Sequence, residues 1–406
     1  MSPRQPRYDS LDLWRGVACL VVVAYHAAVY THSDAFEEQF RAHGGTAAEW
    51  LLAAVGRFWF GVPVFFVISG YCIAASADAA LGKPGGVGRY FVRRARRIYP
   101  PLWAATALGV LLALVLARAA WPGQGAAERV PMADPAGLSP AQWLGNLTLI
   151  EEWRPALGGP EKDYFLGQIW TLCYEEQFYL VVGVLLMVCP RRFFAGVWLV
   201  TGLVLLNVAG SERFQVRIPG LFSEGLWLSF AAGVAVYYRR NHADAVTGVL
   251  FELLLLAATV AAFRFDPDPL GHHKTLAKWT WVAGAFAVLA CRLSAHDAAL
   301  SSARWAAPLR FCGRMCYSLY LVHPLVAVPV AWLFWRAGLT SPAVTVFVML
   351  PLAVLASVPV GYAFSRLVEQ RFAGAARPRV GFLGMRNAGE AHPPRRVGFQ
   401  PGCATK

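Results

Sequence analysis

Apolar residues along this chain gather in blocks of about twenty positions, which is the length an α-helix needs to cross a ~30 Å hydrocarbon layer. More polar stretches separate the blocks. We therefore expect an all-α fold, a polytopic integral membrane bundle of about ten transmembrane helices. The ten expected spans are 11–30, 57–77, 98–117, 167–189, 193–209, 219–238, 246–264, 275–293, 312–335 and 343–365.

The composition is typical of a membrane protein. Of the 406 residues, 57% are apolar and 15% are charged, whereas soluble domains carry about 25% charged residues. We expect one transmembrane domain over 1–372 and a disordered, basic cytoplasmic tail over 373–406. The net charge of +13 lies mainly in the gaps between apolar blocks, so it indicates membrane topology and gives no support to nucleic-acid binding.

The positions of Lys and Arg predict how the helices are oriented, because these residues collect in cytoplasmic loops. The densest cluster lies between the second and third spans: Lys83, Arg89, Arg93, Arg94, Arg96 and Arg97. With that loop inside, both termini are predicted to be cytoplasmic in a multi-pass protein of the inner cell membrane. The long loop 118–166 then faces outside, and a short surface helix is expected at 141–150.

The first span carries ionisable residues, which are costly in a membrane and usually have a function. Arg15 and His26 are eleven residues apart, which places them within about 20° of one helix face and ~16 Å apart along the axis. Asp12 lies one turn before Arg15 and can pair with its guanidinium. The structural alternative is that Arg15 reaches the membrane surface and that His26 bonds a neighbouring helix.

The fourth span carries two adjacent carboxylates, Glu175 and Glu176. Glu175 shares a helix face with Thr171 and Tyr179, so we expect it to point into the bundle. Its depth is near that of His26, and a carboxylate beside an imidazole is the arrangement of a general base. An ion pair that only docks two helices is the alternative interpretation.

Two other spans contain polar residues. Ser69 is followed by Gly70 in the second span, where a small residue permits close helix contact. The ninth span holds Ser318, Tyr320 and His323, and a proline follows the histidine. A proline frees carbonyl groups in a helix, so the His323 ring is predicted either to cap one of them or to take part in chemistry.

Four segments in this order resemble the acyltransferase-3 family of membrane O-acyltransferases, and the resemblance covers about residues 9–372. They are LDLWRGVACLVVVAYH, FGVPVFFVISGY, RRARRIYPPLW with WTLCYEEQFYL, and GRMCYSLYLVHP; SRLVEQRF at 365–372 resembles the closing segment of the family. The resemblance implies transfer of an acyl group, often acetyl from acetyl-CoA, to a hydroxyl of an extracytoplasmic or lipid-linked acceptor, usually a glycan. Pro63 departs from the family, whose members commonly carry a polar residue there.

The resemblance also implies roles for individual residues. The family's catalytic histidine corresponds to His26 and its carboxylate to Glu175. Acyl-CoA is expected as co-substrate, with its phosphates held by guanidinium groups, which bind phosphate bidentately. The residues assigned to acyl-CoA are Arg15, Arg93, Arg96, Arg97 and Tyr99. Asp12, Ser69, Thr171, Tyr179, Ser318, Tyr320 and His323 are assigned supporting roles.

Other functions and partners follow from the same residues. No permanently bound cofactor or metal is expected, since the eight cysteines form no CxxC pair. The expected partners are membrane lipids, acyl-CoA and a glycan or other hydroxyl acceptor, and a homodimer is left open. A transporter or flippase is the main alternative, because intramembrane charges also line substrate pathways. A purely structural membrane protein is the third.

Overall fold

The computed structural model describes residues 8–31, 45–118, 134–214, 220, 225–267 and 275–372. The predicted tail, 373–406, lies outside the described residues. The helices are α1 (Leu11–Thr31), α2 (Ala47–Val55), α3 (Gly61–Asp78), α4 (Gly86–Arg118), α5 (Pro140–Thr148), α6 (Trp170–Val188), α7 (Phe193–Phe214), α8 (Trp227–Asn241), α9 (Ala245–Phe265), α10 (Leu276–Leu293), α11 (Asp297–Ser302), α12 (Ala307–Arg314), α13 (Cys316–Arg336) and α14 (Pro342–Phe372). Two π-helical turns interrupt α14, at Thr345–Met349 and Ser365–Glu369.

The predicted fold class is confirmed: the elements are helices, and within the described ranges nine are long and apolar enough to cross a membrane. Each of the nine matches an expected span. The remaining expected span, 219–238, corresponds to α8, whose 15 residues are shorter than a typical crossing. The orientation of the bundle, with both termini cytoplasmic, stays a prediction.

Helices α3 and α8 lie at the centre of the bundle and pack closely. A Cβ atom on Gly70 would lie 2.1 Å from the Phe230 carbonyl oxygen, and one on Gly233 would lie 1.9 Å from the Val67 carbonyl oxygen. Only glycine permits this approach of two backbones, so the expected close contact at Gly70 is confirmed. The periphery is different: α9 buries little and exposes leucines such as Leu254, as a lipid-facing helix does.

The start of α1 is fixed by a residue far along the chain. The Asp297 carboxylate accepts hydrogen bonds from the backbone N–H groups of Asp9 and Ser10, both at 2.8 Å. Arg240 donates to the same carboxylate at 3.4 Å. Asp9 and Ser10 directly precede α1, so Asp297 fixes the path by which the chain enters this helix.

The loop before α6 is a folded structure, and it includes the predicted surface helix, α5. Ser139 caps α5 by accepting from the Gln142 N–H at 3.3 Å. After α5, the buried Arg154 guanidinium donates to both carboxylate oxygens of Glu151, at 2.7 and 2.8 Å. These hydrogen bonds raise the pKa of Arg154 and hold this part of the loop together.

Candidate active site

Two histidines from opposite ends of the sequence meet inside the bundle. His26 of α1 and His323 of α13 lie with Nδ1 of His26 2.9 Å from Nε2 of His323. The His323 side chain is fully buried, whereas His26 is only partly buried. The His26 ring also stacks on Tyr30, with centroids 6.0 Å apart and planes 6° apart. His26 is therefore the member of the pair that a substrate can reach.

The surrounding backbone determines where the protons of this pair lie. Pro324 has no N–H, so it leaves the carbonyl of Tyr320, four residues earlier, without its helical partner. Nδ1 of His323 lies 2.7 Å from that carbonyl oxygen, and because a carbonyl only accepts, Nδ1 carries the hydrogen. In the neutral ring Nε2 is then an acceptor, so His26 donates to it through Nδ1. In the neutral ring Nε2 of His26 then carries no hydrogen, as a general base requires.

The predicted contact between His26 and Glu175 is wrong. The carboxylate of Glu175 accepts hydrogen bonds from the Ser69 hydroxyl and the Tyr179 phenol, and the imidazole is oriented by His323 instead. Of the two roles that the sequence left open for His323, the cap on the carbonyl freed by its proline is present; the ring also contacts His26, and a part in the chemistry stays a prediction. The catalytic roles of His26 and Glu175 stay predictions.

Glu175 instead lines a cavity that begins near Arg15. The cavity encloses about 810 Å³ of empty space, part of it open to solvent. Three arginines and one carboxylate supply its charged lining, and Thr171 and Tyr320 lie at its far end. The polar lining residues are Arg15, Arg94, Arg97, Ser69, Cys72, Thr171, Glu175, Tyr179, Cys316, Tyr317 and Tyr320. The expected shared face of Thr171, Glu175 and Tyr179 is confirmed.

The loop arginines divide between two faces of α4. Arg94 and Arg97 line the cavity, whereas Arg93 and Arg96 are exposed to solvent. At 100° per residue, Arg93 and Arg96 are centred ~100° around the helix from Arg94 and Arg97. Of the expected patch, Arg15 and Arg97 therefore line the cavity while Arg93 and Arg96 lie outside it, and acyl-CoA binding by these arginines stays a prediction. Arg94, rather than Arg93 or Arg96, lines the cavity. Its guanidinium lies 5.1 Å from the centroid of the Tyr179 ring.

Arg15 is held in place from both sides. Its guanidinium donates to Asp12 at 3.0 Å, which confirms the expected pair, and to the Cys72 sulfur at 2.8 Å. Tyr99 lies outside this lining and donates to Glu176 and to the carbonyl of Thr148, at 3.2 and 3.3 Å. Glu176 therefore takes part in a contact separate from the cavity, as its position beside Glu175 predicted.

Tyr320 stands between the cavity and the histidine pair. Its hydroxyl lies 2.6 Å from that of Thr171 and donates to the Gln168 carbonyl at 2.6 Å. Its ring centroid is 5.8 Å from that of His323. One side chain thus connects the arginine-lined cavity with the histidines.

Ser318 and Pro63, which the sequence analysis singled out, lie outside the cavity lining. Ser318 is fully buried and donates to Glu369 of α14 at 2.6 Å, outside the cavity lining. Pro63 is buried in the first turn of α3, where a proline is tolerated. Sequence reasoning missed Cys72 and Glu369, because a lone cysteine and a carboxylate near the chain end carry no recognisable pattern.

Comparison with known proteins identifies the chain's family. A family model for an acyltransferase domain matches residues 8–366. The chain belongs to this acyltransferase family. It is an O-acyltransferase and a multi-pass membrane protein, which confirms the resemblance found in the sequence. It is also 29% identical over 335 residues to the exopolysaccharide production protein ExoZ of Rhizobium meliloti (strain 1021), covering 79% of this chain and 90% of that protein. No solved structure matches the acyltransferase significantly.

Proposed function

We propose that this acyltransferase moves an acyl group, acetyl in the simplest case, from cytoplasmic acyl-CoA to a hydroxyl of an extracytoplasmic or lipid-linked glycan. It does so in the inner cell membrane. The observation that carries the proposal is the hydrogen-bonded order of Tyr320 carbonyl, His323 and His26, which leaves Nε2 of His26 as a base. The similarity to an exopolysaccharide production protein supports a polysaccharide acceptor.

The reaction needs one base and one acid, and His26 supplies both. Nε2 of His26 takes the proton of the acceptor hydroxyl while the oxygen attacks the carbonyl carbon of the thioester. The C–S bond then breaks, and the departing sulfur takes the proton from the imidazolium. The products are the acyl ester of the acceptor and CoA with a free thiol, so atoms and charges balance.

The arginine-lined cavity supports acyl-CoA as the donor. Arg15, Arg94 and Arg97 present guanidinium groups at the end predicted to be cytoplasmic, where phosphates of CoA would bind. From there the cavity reaches Tyr320. The ~16 Å between Arg15 and His26 along α1 suits an extended pantetheine arm.

The experiment is an acyl-transfer assay in membranes supplied with radiolabelled acetyl-CoA and the producing strain's polysaccharide. The His26→Ala variant is compared with His296→Ala, which removes an exposed histidine. We expect loss of label transfer in the first and wild-type transfer in the second, at equal amounts of folded protein. Full transfer by His26→Ala contradicts the proposal.

The same assay separates transfer from transport. If His26→Ala keeps acyl transfer but stops movement of the acceptor across the membrane, the intramembrane histidine belongs to a transport pathway. Mass spectrometry of glycans and lipids from a deletion strain identifies the acceptor, because one species loses the mass of one acyl group.

A further inference from the structure

A second cavity opens on the side of α6 away from the arginines. Its lining comes from the loop before α6, the first two turns of α6, the residue that precedes α8 and the first turn of α10. The lining residues are Glu152, Lys162, Tyr164, Trp170, Tyr174, Leu226, Leu276 and Trp279. It encloses about 1020 Å³ of empty space, including open solvent, which is large enough for a sugar ring. None of these residues was assigned a role from the sequence, and none lines the donor cavity.

The aromatic walls of this cavity are rigid. The rings of Trp170 and Trp279 meet edge to face, with centroids 5.8 Å apart and planes 87° apart. Trp170 packs in the same way on Tyr174, at 5.7 Å and 83°. Trp279 is supported from behind by Trp59 at 5.5 Å. Rings fixed in this way offer preformed apolar surfaces to a ligand.

The polar wall combines hydrogen-bond acceptors and donors. The Glu152 carboxylate accepts from the Lys162 ammonium at 2.9 and 3.2 Å and from the Tyr164 hydroxyl at 2.6 Å. The Glu152 side chain is 5% exposed and that of Lys162 is 48% exposed, so the ammonium can turn toward a ligand. Burial raises the pKa of Tyr164, which keeps its hydroxyl a donor.

This combination indicates the chemistry of the ligand. A pyranose ring has C–H faces that pack on indoles and hydroxyls that bond both carboxylate and ammonium. An acyl chain is disfavoured, because it would cover the ion pair of Glu152 and Lys162 and remove its water. The ion pair of Glu152 and Lys162 carries no net charge that would attract an anionic sugar. The cavity therefore suits an uncharged sugar.

The cavity lies beside the histidine pair without including it. Trp170 precedes Thr171, whose hydroxyl bonds that of Tyr320. On the other wall, Trp59 belongs to one apolar cluster with Tyr25, whose ring centroid is 5.4 Å from that of His26. His26 is absent from the lining. A sugar bound in this cavity would thus lie next to the sugar unit of the acceptor that reaches His26.

The geometry points to an acceptor subsite in this cavity that binds an uncharged sugar unit of an oligosaccharide or polysaccharide next to the unit that is acylated. The inference rests on the proposed function for its role in transfer, but binding itself does not. It predicts that the acyltransferase recognises a chain of at least two sugars and that acyl-CoA plays no part in this recognition.

The test measures sugar binding without any acyl donor. The purified full-length protein in lipid nanodiscs is titrated by calorimetry with cellohexaose and maltohexaose, two uncharged glucose oligomers, and with glucose and hexagalacturonate. We expect at least one uncharged hexamer to bind about tenfold more tightly than glucose and hexagalacturonate. Failure of both hexamers to bind, or tighter binding of hexagalacturonate, overturns the subsite.

Matched variants assign the binding to this cavity. We expect Lys162→Gln and Trp170→Leu each to weaken hexamer binding about tenfold, and Lys83→Gln and Trp305→Leu, which alter exposed residues elsewhere, to leave it unchanged. Elution volume in gel filtration checks that every variant is folded. Equal binding by all four variants overturns the assignment.

Kinetics then separate the two proposals. In the transfer assay, Lys162→Gln is expected to raise the acceptor KM about tenfold and leave the KM for acetyl-CoA unchanged; an increase confined to the KM for acetyl-CoA overturns the subsite. If the wild type binds the hexamer but transfers no acyl group from acetyl-CoA, the proposed donor reaction fails and the subsite remains.

Discussion

Replacing His323 with leucine tests whether this buried histidine positions His26. The change removes the acceptor 2.9 Å from Nδ1 of His26 and places an apolar side chain at this fully buried position. Loss of one partner of a buried hydrogen bond costs about 1–3 kcal/mol, and each 1.36 kcal/mol is about a tenfold change in rate. We expect kcat to fall about 10- to 100-fold, with little change in the KM for acyl-CoA, because His323 does not line the donor cavity.

The control is His323→Gln, whose side-chain oxygen can accept from Nδ1 of His26 much as Nε2 of His323 does. We expect this variant to recover most of the lost kcat. The assay is steady-state transfer by purified enzyme in nanodiscs, with the folded fraction measured by gel filtration. Wild-type kcat in the leucine variant refutes the positioning role. Equal losses in both variants show that His323 only packs the helices.

Three further predictions concern the donor cavity and the packing of the bundle. Arg97→Gln should raise the KM for acyl-CoA about tenfold, because a charge-assisted hydrogen bond contributes about 1.5–3 kcal/mol; Arg93→Gln, on the exposed face, should leave that KM unchanged in the same titration. Gly70→Ala should destabilise the bundle by about 1–3 kcal/mol, seen as a lower melting temperature in detergent, because its Cβ would press on the Phe230 carbonyl; an unchanged melting temperature contradicts this packing. Asp297→Ala should lower the melting temperature as well, since two backbone N–H groups lose their acceptor. Asp297→Asn, which keeps one side-chain oxygen as an acceptor, should lower it less. Equal decreases in the two variants would show that these hydrogen bonds do not stabilise the protein.

Much of the fold could be predicted from the sequence because membrane helices are encoded locally. A block of apolar residues is sufficient to predict a span, and nine spans were located this way. The pair of Asp12 and Arg15 was predictable for the same reason, since one turn of helix fixes their separation. The helix α8 was harder, because it is buried within the bundle and shorter than a crossing.

The division of the loop arginines was within reach of the sequence but was not predicted. Arg94 and Arg97 lie four and seven residues after the buried Tyr90, a spacing that places all three on one face of a helix. Arg93 and Arg96 are centred ~100° farther around the helix, and both are exposed. The expected patch did not take into account the direction in which each arginine points around the helix axis. That direction is defined only because residues 86–118 form one continuous helix, α4.

The partner of His26 could not be predicted by counting residues from the membrane surface. Depth placed Glu175 near His26, but depth says nothing about which helices are neighbours in the plane of the membrane. His26 and His323 are 297 residues apart in the chain, and their contact depends on α1 packing against α13. No periodicity within either helix encodes that contact.

Pro324 shows why the structural and functional interpretations of His323 are not alternatives. Within a helix a proline costs one hydrogen bond, and here the carbonyl it frees is the one that fixes the tautomer of His323. If position 324 carried an N–H, that carbonyl would have a helical partner, and His323 would be free to present either nitrogen to His26. The proline therefore removes an ambiguity in the proton arrangement of the pair, and a local defect in α13 determines which nitrogen of a residue on α1 can act as the base.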